Sequence, residues 1–589
     1  MMTTRWRLRP HDTARITALS REANLSPLVA QLLLNRGIDE PRRARAFLQA
    51  RLGSLHDPEL LPGAAEAADR IVSALRRLKR IIIYGDYDVD GVCGTSILWA
   101  CLRLAGAGDV GYYIPHRVDE GYGVNAEALR WLATEDRAEV IVTVDCGISA
   151  IREARLAREL GLEFVVTDHH TIGADLPEAD VIVHPGLPGS RYPCRDLCGA
   201  GVAFKLAWQI AKSFGDGKKA SPHLRDFLVR SIGLVAMATV ADVVPIGDEN
   251  RILVRHGLAG ILAEPSVGLR ALMEVSGCLG KKQLTTGNVG FGLAPRINAA
   301  GRLERAKRAV EMLTTDDTIL AREIAEELDR CNTRRQDVER EMVAEAYQLI
   351  AAQGGLEDRG AIVLGRPGWH PGVIGIVAGR LVETYHRPTI LVALGDEIGQ
   401  GSARSITGLD LYAAIKACSE GLIGFGGHKA AAGLKLPIGH LPVFAERFER
   451  HCRASLTAEQ FQKVLTIDAE VLLGTLTLKV VEEIEMLEPH GIGNPSPLLL
   501  ASNVRILGDP RPVGERKNHL QLRVTQGGQV VKAIAWNMAE KGKKLAADTP
   551  CSLVFQPSIS EWRGKREVQL EVKDFQLEET GEYVHPRPA

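Results

Sequence analysis

Residues 80–91 read RIIIYGDYDVDG, and this stretch decides both the fold and the chemistry that the sequence predicts. The isoleucines at 81–83 form a short apolar run, typical of a strand that is buried on both faces. Asp86, Asp88 and Asp90 follow at alternate positions. Carboxylates this close repel one another unless a positive charge lies among them, and a hard divalent cation is the simplest such charge. Taken alone, the pattern also fits a solvated turn between a strand and a helix.

The composition describes an ordinary globular chain of 589 residues, 45% hydrophobic and 25% charged, with a formal net charge of -1. At roughly 100–200 residues per domain, this length predicts three or four domains. The balanced charge means that any nucleic-acid surface must be a local basic patch. Ten scattered cysteines, with Cys194 and Cys198 as the one close pair, predict reduced and mostly buried thiols.

The N-terminus lacks the apolar core of a secretory signal. No run of the chain approaches the ~20 apolar residues that a membrane span needs. We therefore expect a cytoplasmic protein with no membrane partner.

Between about 65 and 245 the sequence alternates short apolar strands with helices, which predicts an α/β domain with a doubly wound parallel sheet. The strand EVIVTV is followed by Asp145, and the strand EFVVT by Asp168, His169 and His170. Parallel strands end at one shared edge, so these groups should meet the carboxylates at 86–90 there. Asp242 interrupts the small apolar run VAMATVADVVP, where an acid is costly unless it is paired or bound to a metal.

These groups predict a metal centre rich in oxygen ligands. The candidate ligands are Asp88, Asp90, Asp145, His169 and Asp242, with Asp86, Asp168 and His170 beside them. Carboxylates with one or two imidazoles suit Mn²⁺ or Mg²⁺ far better than Zn²⁺ held by thiolates. Asp145 is placed to bridge two ions. The chain has no P-loop and no strand-linked GxGxxG, which argues against nucleotide-driven or hydride chemistry.

The sequence divides into five predicted parts. They are an N-terminal helical segment (1–60), a catalytic α/β domain (61–270), a helical connector with a phosphate-binding loop (271–355), a second α/β domain (356–455) and an OB-type β-barrel (460–580). In the connector loop, Arg296, Asn298 and Arg302 are candidates to hold a phosphate with forked donors. A helix-capping loop with solvated arginines would look the same.

The second α/β domain and the barrel carry the remaining candidates for binding substrate. Ser402 and Arg404 lie in GSARS, His428 lies in a glycine-rich stretch, and His370 fits either a contact with substrate or packing under the next helix. Short alternating strands after 464 predict the barrel, which binds single strands through a basic groove and stacking rings. The candidate groove residues are Arg511, Arg516, Lys517, Trp562, Arg563, Lys565 and Arg566. Trp536 is predicted to belong to the core.

Four motifs in order, DYDVDG, VDCG, TDHH and VADVVP, resemble the metal-binding motifs of the DHH phosphoesterase family. Further stretches are similar to the single-strand-specific exonucleases of that family. These are IPHRVDEGYGVN (114–125), YPCRDLCGAGVAFKL (192–206), APRINAAGRL (294–303), GWHPGVIGIVAGRL (368–381), GSARS (401–405), GGHKAAAG (426–433) and LEPHGIGNPSP (487–497). The resemblance covers nearly the whole chain from about residue 60.

The resemblance implies roles for particular residues. It implies that Asp90, Asp145, His169 and Asp242 surround one ion, that Asp88 and Asp145 bind the second, and that His170 touches the scissile phosphate. Tyr84 stands where related phosphatases have a ligand histidine, and Asp86 is expected to replace it.

The implied activity is that of a 5′-to-3′ exonuclease that degrades single-stranded DNA to 5′-mononucleotides with two Mn²⁺ or Mg²⁺ ions. The two α/β domains are expected to face each other across a cleft, joined by a long helix. The expected setting is DNA recombination and repair, as a monomer beside a helicase and a single-strand-binding protein. Three alternatives share the metal motifs: a hydrolase of short RNA or cyclic dinucleotides, an inorganic pyrophosphatase, and a replication factor without activity.

Overall fold

A computed structural model of the chain describes residues 4–116, 120–121, 123–303, 306–356, 359–562 and 564–577. The chain forms two compact units, and the larger one comprises His56–Asp242 and His256–Lys463. The smaller unit comprises Arg5–Leu55, Val243–Arg255 and the chain from Val464. Among the described residues, no helix is both long enough and apolar enough to cross a bilayer.

The first sheet of the larger unit is parallel throughout and has five strands. Their order across the sheet is Val110–Tyr113, Ile81–Gly85, Val140–Val144, Glu163–Thr167 and Val181–Val183. Every residue of the strands Ile81–Gly85 and Val140–Val144 is buried, which explains their continuous apolar sequence. Ile83 is in register with Val142, and Val142 with Val165, so the three central strands end together. The predicted parallel sheet is therefore confirmed.

Helices pack around this sheet and continue beyond it. They are Ala64–Arg76, Val89–Leu104, Ala126–Thr134, Ile151–Glu159, Gly199–Ser213, Pro222–Ala241, Val267–Val275, Thr286–Asn288, Ala294–Leu303 and Lys307–Thr314, with a π-helix at Val289–Leu293. The helix Asp248–Ala263 begins in the segment Val243–Arg255 of the smaller unit. The helix Val89–Leu104 is apolar around most of its circumference because it packs against the sheet, Gly199–Ser213 and Pro222–Ala241. It is the central element of the first domain.

A single helix of 35 residues, Thr318–Ala352, leads to the second domain. Asp317 caps its N-terminus by accepting hydrogen bonds from two backbone N–H groups. Near its other end, Glu345 accepts a hydrogen bond of 2.7 Å from the indole N–H of Trp369. The predicted long connector is present, and it is tied to the domain that follows.

The second sheet has five strands and is mostly antiparallel. Their order is Gly424–Gly427, Ala431–Pro437, Ile398–Arg404, Thr389–Leu394 and Ile362–Pro367, with only the last pair parallel. Its helices are Ile374–Tyr385, Leu411–Ala417 and Leu441–Ser455. One face of the sheet packs against Phe444 and Phe448. Ser402 and Arg404 alternate with the buried Ala403, so they lie on the other face.

The smaller unit is built around a closed barrel. Its sheet has the order Ala469–Glu470, Leu499–Ile506, Pro550–Trp562, Lys565–Leu577, Gln529–Ala535, His519–Gln526 and Arg511–Val513. Leu499–Ile506 also pairs with His519–Gln526, which closes five long strands into the predicted OB barrel. Short helices at Leu478–Glu485 and Ala539–Gly542 accompany them. Arg563 and the side chain of Trp562 lie outside the described residues.

The N-terminal segment belongs to this smaller unit. Its helices are Thr13–Ala23, Pro27–Leu34 and Pro41–Gln49. A strand that the sequence analysis did not anticipate, Arg5–Leu8, precedes them and pairs in parallel with Val464–Ile467. Leu32 and Leu33 share a core with barrel residues such as Phe555. The barrel and the N-terminal helices therefore form one hydrophobic core.

Arg251 joins the internal segment Val243–Arg255 to the same unit. Its side chain is buried and donates hydrogen bonds to the carbonyls of Phe47, Met486, Leu487, Glu488 and Pro489. The guanidinium also lies 3.8 Å from the centre of the Phe47 ring. Burial, followed by the positive charges of Arg255 and Arg36, lowers the pKa of Arg251 to about 9.

The prediction for Trp536 is wrong: its side chain is 50% exposed rather than part of the core. It directly follows the strand Gln529–Ala535, and its ring meets His519 edge-on with ring centres 4.9 Å apart. Its position alternates with the buried Ala535, which directs the indole outward.

Candidate metal centre

The turn after the strand Ile81–Gly85 carries three of the acids. Asp88 caps the helix Val89–Leu104, since its Oδ1 accepts hydrogen bonds from the backbone N–H groups of Asp90 (2.8 Å) and Gly91 (3.2 Å). The turn is tight, because a Cβ at Gly91 would lie 2.5 Å from the carbonyl oxygen of Asp86. The local sequence thus folds Asp86, Asp88 and Asp90 into one small volume at the strand end.

Asp145 follows the strand Val140–Val144 in a strained backbone conformation. Its φ is 64°, in the left-handed region that Asp tolerates better than most residues. Its backbone N–H donates to the carbonyl of Thr167 at 3.1 Å, which joins it to the neighbouring strand end. This conformation holds the Asp145 carboxylate, 2% exposed as a residue, at the sheet edge.

Asp168 fixes the two histidines that follow it. Its carboxylate accepts hydrogen bonds from the N–H groups of Ile148, His169 and His170, and from Nδ1 of the His170 ring at 2.7 Å. These contacts orient the ring of His170 and the backbone of both histidines, which suits a carboxylate that supports a metal centre from outside its ligand set. Burial alone would lower the pKa of His170, but the hydrogen bond and the charge of Asp168 raise it to about 9.

His184 is a neighbour that the sequence analysis missed. It follows the strand Val181–Val183, is buried, and makes a 2.9 Å hydrogen bond from Nε2 to the carbonyl of His170. Its Nδ1 accepts from the N–H of Gly186, so Nε2 is the donor. The motif VIVHP at a fourth strand end was the available signal.

Asp242 reaches the same point from a helix rather than a strand. It is the C-terminal cap of Pro222–Ala241, and its N–H donates to the carbonyl of Ala238. Burial, followed by the charges of Asp90 and Asp88, raises the pKa of Asp242 to about 8. The small apolar residues before it form a buried helix within the domain.

The first cluster of ligands is formed by Asp90, Asp145, His169 and Asp242. From Nε2 of His169 the distances are 3.1 Å to Asp145 Oδ1, 3.6 Å to Asp90 Oδ2 and 3.6 Å to Asp242 Oδ2. Among the described residues, Nε2 of His169 and Oδ2 of Asp242 are buried without a hydrogen-bond partner. Buried polar atoms rarely stay in that state, so the donor set fits a bound cation.

The second cluster is formed by Asp86, Asp88 and Asp145, whose carboxylate oxygens lie within 4.8 Å of one another. Asp145 belongs to both clusters, which is the geometry of a bridging ligand. Burial and then the neighbouring acids raise the pKa of Asp145 and of Asp88. A divalent cation in each cluster would remove this repulsion.

Tyr84, two residues before Asp86, is buried and makes its own hydrogen bonds. Its hydroxyl donates to the carbonyl of Gly123 at 3.1 Å and accepts from Nδ2 of Asn125 at 3.2 Å. The hydroxyl is thus engaged with the segment at 123–125. The role of Asp86 as a replacement for the family histidine stays a prediction that this arrangement supports.

The prediction of a phosphate-binding loop in the connector is wrong: the stretch forms the helix Ala294–Leu303, which points its three predicted phosphate donors at different partners. Asn298 accepts a 3.1 Å hydrogen bond from the N–H of Val89, and so touches the turn that bears the acids. Arg302 donates to the carbonyl of Gly372 at 2.7 Å, in the second α/β domain. Arg296 points elsewhere and donates to Asp329 and to the carbonyls of Gly292 and Val275. These contacts favour a packing role for Arg296, and its phosphate contact stays a prediction without geometric support.

In the second domain, Ser402 and Arg404 lie beside the N-terminus of the helix Ile374–Tyr385. A Cβ at Gly375 would lie 2.8 Å from Oγ of Ser402 and 3.0 Å from a guanidinium nitrogen of Arg404. The preceding loop contains His370, whose Nδ1 accepts from the N–H of Gly372 at 3.0 Å. Burial and then the charge of Arg334 lower the pKa of His370. His428 is exposed in the turn after Gly424–Gly427.

Three domain families match the chain in the order that the fold shows. The DHH family, N-terminal domain, matches residues 80–232, the DHHA1 domain matches 358–454, and the RecJ OB domain matches 467–574. The region that matches the DHH family contains six of the candidate site residues: Asp86, Asp88, Asp90, Asp145, His169 and His170. Asp242 follows ten residues after its end.

Curated relatives cover almost the whole chain. The single-stranded-DNA-specific exonuclease RecJ of Bacillus subtilis is 38% identical over 98% of this chain and 71% of its own length. The protein of the same name from Dickeya dadantii is 37% identical over 93% of this chain and 95% of its own.

Solved structures agree with these relatives. The crystal structure of RecJ in complex with Mn²⁺ from Thermus thermophilus has a TM-score of 0.82 and 33% identity, over 98% of this chain and 80% of that one. A crystal structure of the exonuclease RecJ bound to manganese has a TM-score of 0.58 and 40% identity, over 68% of this chain and 96% of that one. Domain order, overall identity and fold agree, and the chain therefore belongs to the RecJ family of single-stranded-DNA-specific exonucleases.

Proposed function

We propose that this protein is a single-stranded-DNA-specific exonuclease that hydrolyses phosphodiester bonds from the 5′ end and releases 5′-mononucleotides. The main observation behind this proposal is that four side chains converge from different strand or helix ends: Asp90, Asp145, His169 and Asp242. Asp145 also belongs to the cluster with Asp86 and Asp88. Two clusters that share one carboxylate suit a pair of Mn²⁺ or Mg²⁺ ions.

The residues of the chain would hold and orient the reacting groups. When bound, the two ions supply a nucleophilic water at neutral pH and stabilise charge on the attacking and leaving oxygens. Asp145 bridges the clusters, and Asp90, His169 and Asp242 complete one of them. His170, whose pKa is about 9, carries a positive charge near neutrality. Asp168 holds Nδ1 of that ring, so Nε2 is the nitrogen that we assign to a phosphate oxygen.

Ser402 and Arg404 are proposed to hold the 5′ end of the strand. They lie at the N-terminus of the 12-residue helix Ile374–Tyr385, where the helix dipole favours an anion. The glycine at 375 lets the guanidinium approach the backbone closely. His370 shapes the loop before this helix, and Arg302 contacts the same loop. His428 and Asn298 complete the proposed contacts with the strand.

The barrel is proposed to retain the strand on its outward face. Arg511 is in register with Gln521, and Arg523 with Lys532, which places three cations on neighbouring strands, although Lys532 is also ion-paired with Glu567. The exposed Trp536 stands at the end of this face beside His519. A basic surface with an exposed aromatic ring is what sequence-independent binding of single strands requires. A substrate as small as pyrophosphate or a dinucleotide would make no use of it.

The proposed setting is DNA recombination and repair in the cytoplasm, where the protein acts as a monomer with a helicase and a single-strand-binding protein. The state of the cysteines supports a reducing compartment: all ten are described, all are buried, and none is disulfide-bonded.

A nuclease assay on single strands labelled at the 5′ or the 3′ end tests the proposal directly. We expect the 5′ label to appear at once as a mononucleotide and the 3′ label to shorten progressively, with Mn²⁺ or Mg²⁺ present. Duplex DNA and a reaction with EDTA should give no product. Release of the 3′ label first, or turnover in EDTA, would contradict the proposal.

Asp145→Ala should abolish hydrolysis and leave binding of single-stranded DNA largely intact, because Asp145 is shared by both metal clusters. The expected loss is at least ~10³-fold in kcat, since both ions lose a ligand. Filter binding with a labelled oligonucleotide in EDTA provides the affinity control. Retained nuclease activity would remove Asp145 from the mechanism.

Arg404→Ala should weaken binding of a 5′-phosphorylated strand by about 10–100-fold, the range for losing a charge-assisted contact. Affinity for Mn²⁺ should not change. The matched control is Arg447→Ala, because Arg447 is in the same domain on the helix Leu441–Ser455, against the opposite face of the sheet. An unchanged KM for the strand in Arg404→Ala would count against this site.

Trp536→Ala should lower the affinity for long single strands by about 5–100-fold, as expected for one lost stacking interaction. Turnover of a short oligonucleotide should be unaffected. Trp131→Ala is the matched control, because Trp131 has the same exposed fraction, 50%, but lies on the helix Ala126–Thr134 of the first domain. Equal affinity of wild type and Trp536→Ala for a long strand would exclude the indole from the binding face.

A further inference from the structure

We infer that the first turn of the helix Gly199–Ser213 is a built part of the metal centre, and that Gly199 is a positioning residue for Asp90 and Asp145. No metal motif identified in the sequence contains this turn, which lies in the stretch DLCGAGVAF. The inference rests on the proposed function, because it concerns how the proposed ligands are held.

The backbone of this turn grips the carboxylate of Asp90 with two hydrogen bonds. The N–H of Gly199 donates to Oδ2 at 2.6 Å, and the N–H of Ala200 donates to Oδ1 at 2.7 Å. Asp90 is 1% exposed, so this pair of bonds accounts for both of its oxygens before any cation binds. Backbone N–H groups at a helix N-terminus are suited to a carboxylate, and here they also fix its orientation.

The same turn lies directly against Asp145. A Cβ at Gly199 would come within 2.6 Å of both Cβ and Oδ1 of Asp145, a separation that side chains do not adopt. Asp145 cannot easily move aside, since its backbone is already in the left-handed region and is bonded to Thr167. The absence of a side chain at 199 therefore sets how closely Asp145 and Asp90 approach each other.

A third contact links the turn to the helix that ends at Asp242. Cys198 caps the helix Gly199–Ser213, with its Sγ accepting from the N–H of Gly201, and it also lies 3.5 Å from Oγ1 of Thr239. Thr239 is three residues before Asp242 on the buried helix Pro222–Ala241. The one turn thus contacts the Asp90 and Asp145 side chains and the helical turn before Asp242.

The turn also separates the roles of two acids. Each carboxylate oxygen of Asp90 already accepts one N–H, so each has one lone pair left for a cation. The two hydrogen bonds hold the Asp90 carboxylate in the first cluster. Asp145 packs against Gly199 and belongs to both clusters, so it is the acid that can bridge them. The spacing of the ligands is fixed by the protein before a cation arrives.

Gly199→Ala tests the inference by metal binding without DNA. We expect calorimetry, with Mn²⁺ electron paramagnetic resonance to count bound ions, to show an affinity lowered by about 10–100-fold, the usual cost of disturbing groups that orient ligands. Turnover should recover in part at high Mn²⁺, with KM for the strand unchanged. The matched control is Gly201→Ala, because its Cβ would meet Leu197 and Cys198 only at ordinary distances, the shortest being 3.4 Å.

The outcomes separate the inference from the proposed function. Wild-type affinity in Gly199→Ala, or an equal loss in Gly201→Ala, would overturn the positioning role alone. Failure of the wild type to bind Mn²⁺ would overturn the metal centre itself.

Hydrogen exchange on the wild type provides a test that does not depend on the folding of a variant. The N–H groups of Gly199 and Ala200 should be protected equally in EDTA and in Mn²⁺, because Asp90 accepts them in both states. Protection that arises only with Mn²⁺ would show that the turn is not pre-organised, and would overturn the inference.

Discussion

Mutual repulsion among buried carboxylates is the constraint on which the rest of this structure depends. Two unit charges 4 Å apart repel by about 4 kcal/mol at an effective dielectric constant of about 20, and here five aspartates meet at one edge of a sheet. A fold of marginal stability cannot carry several such pairs uncompensated. The N-terminal turns of the helices Val89–Leu104 and Gly199–Ser213 supply part of the compensating dipole.

Fixed backbone dipoles neutralise some of the acids, and others depend on ions. Asp168 accepts three N–H groups and a histidine ring, and Asp90 accepts two N–H groups from a helix end, so both are satisfied by the protein. Asp88 is bonded to two N–H groups of its own turn. For Asp88, Asp145 and Asp242, burial and the neighbouring acids dominate, and the pKa of each is raised. These acids, which the protein's own N–H groups do not fully neutralise, are therefore the ones whose charged form a bound cation would stabilise most.

Much of this could be predicted because it depends on local pattern. Apolar runs that end in acids at 86–90, 145 and 168 specify parallel strands, and parallel strands necessarily share an edge. Gly199 could not be predicted to hold Asp90, because the contact joins residues 109 positions apart through backbone N–H groups that carry no sequence signal. Trp536 was misjudged for a related reason: alternation along a strand gives two faces, and only the closed barrel determines which one is inside.

The smaller unit is assembled from three separate segments of the chain, which the sequence did not reveal. This assembly decides whether the barrel can be treated as an independent domain. Its core includes Leu32 and Leu33 from the N-terminal helices, and the cationic Arg251 is buried among carbonyls that lie mainly at 486–489. A chain that ended before 464 would leave this cation without most of its hydrogen-bond acceptors and would expose the apolar faces of the N-terminal helices. The barrel is therefore part of a shared core rather than a separable attachment. Its contribution to binding DNA has to be measured by single substitutions on its outward face, since removal of the barrel would change the folding of residues 5–55 and 243–255 as well.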